Sequence, residues 1–110
     1  MASQPQMLKG LLELAVLSAL DEGPLYGLSL LDRLREEAGL NVAEGSIYPL
    51  LHRLERSELI VAAWQLDEDG VRPRKYYQLT PTGRLGLKDS TEDWLRISGA
   101  LTHFINRKLP

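Results

Sequence analysis

The chain has 110 residues, a length that suits one domain with a single core and little to spare. Hydrophobic residues make up 44% and charged residues 25%, ordinary for a globular protein, and the formal net charge is −2. The absence of cysteine excludes disulfide frameworks, thiolate nucleophiles and cysteine zinc sites, and two histidines, His52 and His103, are too few for a multi-histidine metal centre. No cofactor is expected. No stretch approaches the roughly 20 apolar residues that span a bilayer, so no membrane contact is expected either. Residues 1–6 carry no basic side chain, and Lys9 and Glu13 interrupt the apolar pattern behind them. A cytoplasmic chain without a signal peptide is the expectation.

From residue 8 to residue 20 apolar side chains cover more than one helical face, which predicts a helix buried on most sides. Asp21-Glu22-Gly23-Pro24 ends it. A second helix is expected over residues 25–37 with Leu28, Leu31 and Leu34 inward, then a turn at Gly39-Leu40-Asn41. The third helix is the sharpest signal, because Ile47, Leu50, Leu51 and Leu54 form one narrow stripe at i, i+3, i+4 and i+7. Ser46, Tyr48, Pro49, His52, Arg53 and Arg56 form its polar outer face. Ala43 offers no side-chain cap and Pro49 leaves the Gly45 carbonyl without a helical donor, so a bent or loosely wound start is expected. Residues 59–66 read as a strand, with Trp64 expected in the core. Residues 67–74 are a turn-rich connection containing an Asp-Gly step, and residues 75–80 are the returning strand. Thr80 and Pro81 suit the cap and first position of a last helix running to about Lys108.

Three helices, a hairpin with a long tip and a terminal helix describe a mainly α fold with a small β-hairpin. That is the pattern of a winged helix-turn-helix over residues 1–83, followed by a C-terminal helix over residues 84–110. In such a domain the third helix can enter the major groove while the hairpin tip, the wing, touches the flanking backbone. Residues 70–88 contain Arg72, Arg74, Lys75, Arg84 and Lys88 and no acid, so positive charge concentrates on the wing and the start of the last helix. Local potential acts over a Debye length of about 8 Å, so a net charge of −2 does not exclude double-stranded DNA as the partner. The rival reading is a winged-helix protein–protein interaction module docking through residues 1–40, which carry six acidic and three basic side chains. A docking wing has no need of five unopposed positive charges. Catalysis is not expected: Ser46 and His52 lie on different faces of one helix with no orienting acid, and no phosphate loop or dinucleotide fingerprint occurs.

Three separated motifs, in order, carry a family resemblance. Leu25-Tyr26-Gly27 opens helix two. Glu44-Gly45-Ser46-Ile47-Tyr48-Pro49-Leu50-Leu51 is followed by Arg53-Leu54-Glu55. Arg72-Pro73-Arg74-Lys75-Tyr76-Tyr77 is followed by Leu79-Thr80 and Gly83. From about Lys9 to Gly83 the chain resembles the PadR family of bacterial transcriptional regulators, and its terminal helix resembles that of the short subfamily with one C-terminal helix. The resemblance implies a homodimeric repressor on a pseudo-palindromic operator, with the C-terminal helix of each copy packed on the first helix of the other. Two departures stand out. Ala43-Glu44 replaces the usual Ser-Pro before the glycine, and Ser57-Glu58 replaces the usual Glu-Gly at the end of helix three.

The DNA-binding residues expected on this reading are Tyr26, Glu44, Ser46, Tyr48, His52, Arg53, Arg72, Arg74 and Lys75. Glu44 would repel phosphate yet can accept a hydrogen bond from cytosine N4. Tyr48 can reach a phosphate or pack against helix two. His52 can read a base edge or simply sit at the surface, and Arg53 can do the same or bridge to Glu55 or Glu58. Leu11, Leu87, Trp94, Ile97, Leu101, Phe104 and Ile105 are the expected dimer face. Small members of the family stack planar aromatic drugs on a tryptophan of the terminal helix. Trp94 resembles that residue, with Glu13, Leu14 and Ser98 as companions, although a plain interface aromatic is the commoner fate of such a residue.

Overall fold

The computed structural model describes residues 3–107, with side chains from residue 11 onward; Lys108, the expected end of the last helix, lies outside them. The elements in chain order are α1 (Ser3–Asp21), β1 (Leu25–Tyr26), α2 (Gly27–Glu36), α3 (Glu44–Arg56), β2 (Ile60–Leu66), β3 (Pro73–Leu79) and α4 (Pro81–Arg107). The three strands form one antiparallel sheet in the order β1-β3-β2. The architecture is the expected mainly helical one, with a sheet larger by one strand. Leu25 and Tyr26, read from sequence as the start of helix two, pair instead with Tyr77 and Tyr76. Their backbone groups enter the ladder of β3, and the helix begins one residue later at Gly27.

One core lies between the helices and the sheet. Leu12, Val16, Leu17 and Leu20 of α1 meet the α3 stripe of Ile47, Leu50, Leu51 and Leu54, and Ile60, Tyr77 and Leu79 close it from the sheet. The α3 stripe is the one its spacing predicts. In α2 the buried leucines are Leu30, Leu31 and Leu34, whereas Leu28 is 43% exposed, a correction that follows from where the helix starts. α3 runs as one helix through Pro49. Its first turn is tightened by the Ser46 N–H donating to the Ala43 carbonyl at 2.9 Å, so any loosening stays in that turn. No helix among the described residues is long and apolar enough to cross a membrane.

The end of α3, both long strands and the start of α4 meet at one node. The Leu59 N–H donates to the Leu54 carbonyl at 3.0 Å and the Glu58 N–H to the Glu55 carbonyl at 2.9 Å, the paired bonds of a Schellman cap. That cap puts Glu58 at a φ of 63°, the left-handed region that favours glycine. Thr80 then fastens the node. Its N–H donates to the Leu59 carbonyl at 3.1 Å. Its hydroxyl donates to the Glu58 carbonyl at 2.6 Å and accepts from the Gly83 N–H at 2.9 Å, which caps α4 as the sequence predicts. Gly83 is buried against the Leu59 carbonyl so closely that a Cβ would overlap that oxygen.

Two opposite stability changes follow from this geometry. Glu58→Gly should raise the unfolding free energy by about 1 kcal/mol by removing left-handed strain. Gly83→Ala should lower it by about 1–3 kcal/mol, because the obstruction is backbone and cannot rotate away. Urea denaturation of the two variants checks both signs.

Candidate nucleic-acid interface

Opposite the buried stripe of α3 lie Gly45, Pro49, His52 and Arg56, all exposed. At the helical spacing of 100° per residue they form one outward row, and the small residues near its start let a surface come close. Arg56, read from sequence as part of the polar outer face, is missing from the expected DNA-binding set, although its place four residues after His52 is the signal that adds it. The other polar residues divide to the two flanks. On one side stand Ser46 and Arg53, on the other Glu44, Tyr48 and Glu55.

Each flank is tied to a neighbour. Arg53 Nη1 lies 3.0 Å from Glu13 Oε1 on α1, so its bridge goes to neither Glu55 nor Glu58, and the side chain leans away from the outward row. Tyr48 packs on the start of α2: a Cβ on Gly27 would lie 2.7 Å from the Tyr48 hydroxyl, so the glycine makes the seat for the ring. Tyr26, at the N-cap of α2, makes no side-chain capping bond. The first N–H groups of α2 therefore lie uncapped beside a phenol. Beneath them the Tyr77 phenol is pushed above its ordinary range by burial, with Glu55 and Tyr48 adding to the effect.

Strand alternation separates the basic residues of the wing. Lys75 pairs across the ladder with Trp64 and Arg74 with Gln65, so adjacent Arg74 and Lys75 point to opposite faces. Lys75 faces α3, its Nζ 3.9 Å from Glu55 Oε1 and 5.6 Å from the centre of the Tyr77 ring. Arg74 lies 4.5 Å over the Tyr26 ring, which meets Tyr76 edge-on at 5.7 Å, and its Nε is 3.7 Å from Asp67 Oδ2. Arg84 pairs with Asp21 at 2.8 Å and Lys88 with Glu92 at 3.9 Å. Four of the five cations that look unopposed along the chain thus have a carboxylate beside them in space. Among the described residues Arg72 alone of the five has no ion pair, and it sits exposed in the bend before β3. Trp64 is a second correction. At 68% exposed it shares the face of β2 that carries buried Ile60, but it lies near the tip end of the strand, beyond the core's edge.

The tip is held by Asp67. Its Oδ1 accepts from the Val71 and Arg72 N–H groups at 3.3 and 3.4 Å, and the Asp67 N–H donates to the Arg72 carbonyl at 2.9 Å. Burial pushes the Asp67 carboxyl up, but those backbone donors and the Arg74 charge outweigh it and hold the group below the usual carboxylate range.

On the far side of α3, a cavity of about 450 Å³ opens between α1, α3 and α4, lined by Leu11, Glu13, Leu14, Arg53, Ser90, Asp93 and Trp94. Glu13, Leu14 and Trp94 of the expected ligand set come together here. Ser98 does not line the cavity; Ser90 and Asp93, eight and five residues earlier on α4, take that place. Of the expected dimer face, Leu87 is 8% exposed and belongs to the chain's own core. Trp94, Ile97, Leu101, Phe104 and Ile105 all stand exposed along the outer part of α4, where the helix runs beyond the core.

The profile of the transcriptional regulator PadR-like family matches residues 16–89. The crystal structure of a PadR-like transcriptional regulator from Bacillus cereus has a TM-score of 0.84 and 34% identity, over 91% of this chain and 96% of that one. Bacillus subtilis PadR in complex with operator DNA has a TM-score of 0.67 and 28% identity, over 74% of this chain and 45% of that one. An uncharacterized 37.1 kDa protein in a Streptomyces fradiae transposon is 36% identical over 87 residues, 79% of this chain; the match spans 24% of that protein's length.

The wing tip should respond to acid in one direction. A carboxyl held down in the folded state contributes order that is complete above its unfolded value and fades as pH falls through the folded one. The Val71 and Arg72 amide resonances should therefore titrate with a midpoint below about 3.9. They should stop titrating in Asp67→Asn; a midpoint above that value would show that the carboxylate is not the clamp.

Proposed function

The chain belongs to the PadR-like family of transcriptional regulators, a family of regulators rather than enzymes, and from that premise we propose that it binds duplex DNA as a symmetric dimer and acts as a repressor. The observation that carries this reading is the outward row of α3, polar, uncovered and flanked by the wing. A helix of that width fits the major groove, where His52 and Arg56 reach base edges and Glu44 accepts from cytosine N4. Phosphates on either side are met by the Tyr48 hydroxyl with the uncapped start of α2, and by Arg72, Arg74 and Lys75. The ion pairs on the wing do not oppose this. Surface pairs are worth at most about 1 kcal/mol, so a phosphate readily replaces their carboxylates. The Bacillus subtilis relative, solved with operator DNA, supports duplex DNA as the partner.

The exposed apolar row of α4 supports dimerisation, since so much uncovered apolar surface favours association. On this reading residues 1–83 are the DNA-binding unit and the helix beyond them the dimerisation element. Two-fold symmetry then presents the two α3 helices to half-sites about 34–36 Å apart on a pseudo-palindrome. The cavity bearing Trp94 is the place for a planar aromatic inducer. Such a ligand relieves repression by favouring a dimer geometry in which that spacing fails.

A salt titration of duplex binding tests the reading. Affinity should fall as salt rises, and Arg72→Ala should reduce the slope by about one unit. No binding at low salt would defeat it. Trp94→Ala should abolish quenching of tryptophan emission by a planar aromatic dye; quenching that persists would place the ligand away from the cavity.

A further inference from the structure

Trp64 is the largest side chain left uncovered on the wing, at 68% exposed, and the DNA contacts assigned above do not use it. Its position is well defined. Ile60, Ala62 and Trp64 share one face of β2 with Leu79, Tyr77 and Lys75 opposite them on β3. Ile60, Tyr77 and Leu79 are buried under the helices, so Trp64 and Lys75 continue the same face outward, past the end of the core. Lys75 shows which way that face looks, since its Nζ approaches Glu55 in the last turns of α3. The indole therefore stands over the cleft between the wing and the recognition helix, beside a lysine.

A large exposed indole on a hairpin calls for a partner of mixed character, apolar beside anionic. A nucleic-acid strand has that character, because each phosphate is followed by the apolar face of a deoxyribose. Residues directly opposite on an antiparallel pair have Cβ atoms about 4.5–5.5 Å apart, close enough for one to hold the phosphate and the other the adjoining sugar. We propose that Trp64 is a DNA-contacting residue, its indole packing on the deoxyribose next to the phosphate bound by Lys75. This rests on the DNA-binding reading and adds to it a non-ionic contact. Through Lys75 and Glu55 the patch adjoins the flank of α3, beside the surface proposed to meet DNA, which selects the duplex as its occupant over a second copy of the chain.

The non-ionic character makes the contact separable from the others. The probe is a mixed-sequence duplex of about 30 base pairs, long enough for two half-sites one helical turn apart. Trp64→Ala should weaken binding about tenfold at every salt concentration and leave the salt slope unchanged, whereas Arg72→Ala changes the slope. In a Trp94→Phe protein the remaining emission is that of Trp64, and it should be quenched or shifted when duplex is added. Trp64→Ala binding like the wild type, or emission indifferent to duplex, would overturn the inference while leaving the regulator reading intact. Loss of self-association in Trp64→Ala with unchanged DNA affinity would assign the indole to a second copy and overturn it equally. A wild-type protein that binds no duplex at low salt would end both. Trp64 is exposed and outside the core, so the variant keeps its fold, which the melting transition verifies.

Discussion

The contact between Gly83 and the Leu59 carbonyl governs how the parts of this protein are held relative to one another. Through the few residues around it, the C-terminal end of α3, the residue that leads into β2, the residue that follows β3 and the first turn of α4 all share hydrogen bonds. Thr80 uses its amide and both capacities of its hydroxyl, so none of the groups it ties can turn without breaking another bond. The wing leaves this node in one direction and the tail helix in another, and α3 arrives from a third. Relative placement of the outward α3 row, the basic hairpin and the exposed apolar row is thus a local backbone matter, decided over some 25 residues. The core beneath supplies the stability, since the buried leucines of α1 and α3 remove most of the apolar surface from water.

Charge in this molecule is arranged in pairs that water can dissolve. Arg33 bridges Glu22 and Glu37, and Arg84 holds Asp21, so α1, α2 and α4 are laced together at one end. Arg74 and Lys75 have carboxylates nearby but at longer distances, 3.7 and 3.9 Å, which is where exchange for phosphate is easiest. Arg74 is also braced by the Tyr26 ring, so its guanidinium is oriented before any partner arrives. A net negative chain with a pre-oriented cationic hairpin keeps long-range attraction weak and short-range contact specific.

Most of the fold is legible in the sequence because its signals are periodic. The α3 stripe, the Thr80-Pro81 start of α4 and the hairpin follow from spacing and capping chemistry alone. What the sequence hides depends on the neighbours of each element. Leu25 and Tyr26 become a strand because β3 offers them an edge to pair with, and Leu28 is exposed because the buried row of α2 runs through Gly27, Leu30, Leu31 and Leu34. Trp64 has the composition of a core residue but stands toward the hairpin tip, past the part of β2 that the helices cover. The basic tract looks unopposed because its carboxylates, Asp21, Glu55 and Asp67, lie outside it in the chain and beside it in space. Arg53 is on the polar face by count, yet Glu13 of α1, forty residues earlier, sets its direction. Glu58 is the opposite case. The family's usual glycine marks a left-handed turn, and this chain keeps the turn without the glycine.

Arg53 also shows why a ligand in the α1–α3–α4 cavity would need no long relay to reach DNA. α3 has three faces in use: one side fills the core, the outward row is the one proposed to meet the groove, and a flank supplies Arg53 to the cavity wall. A molecule seated against Trp94 touches the same rigid helix that carries His52 and Arg56, and it competes directly with the Glu13–Arg53 pair. Coupling between two sites amounts to the difference in ligand affinity between two arrangements, commonly about 1–3 kcal/mol. An exposed ion pair is a small part of that range, so the pair alone cannot be the switch. The larger share has to come from apolar contacts of α4, the one described element with a long uncovered apolar row, and the tail helix is therefore the element whose packing a ligand must change.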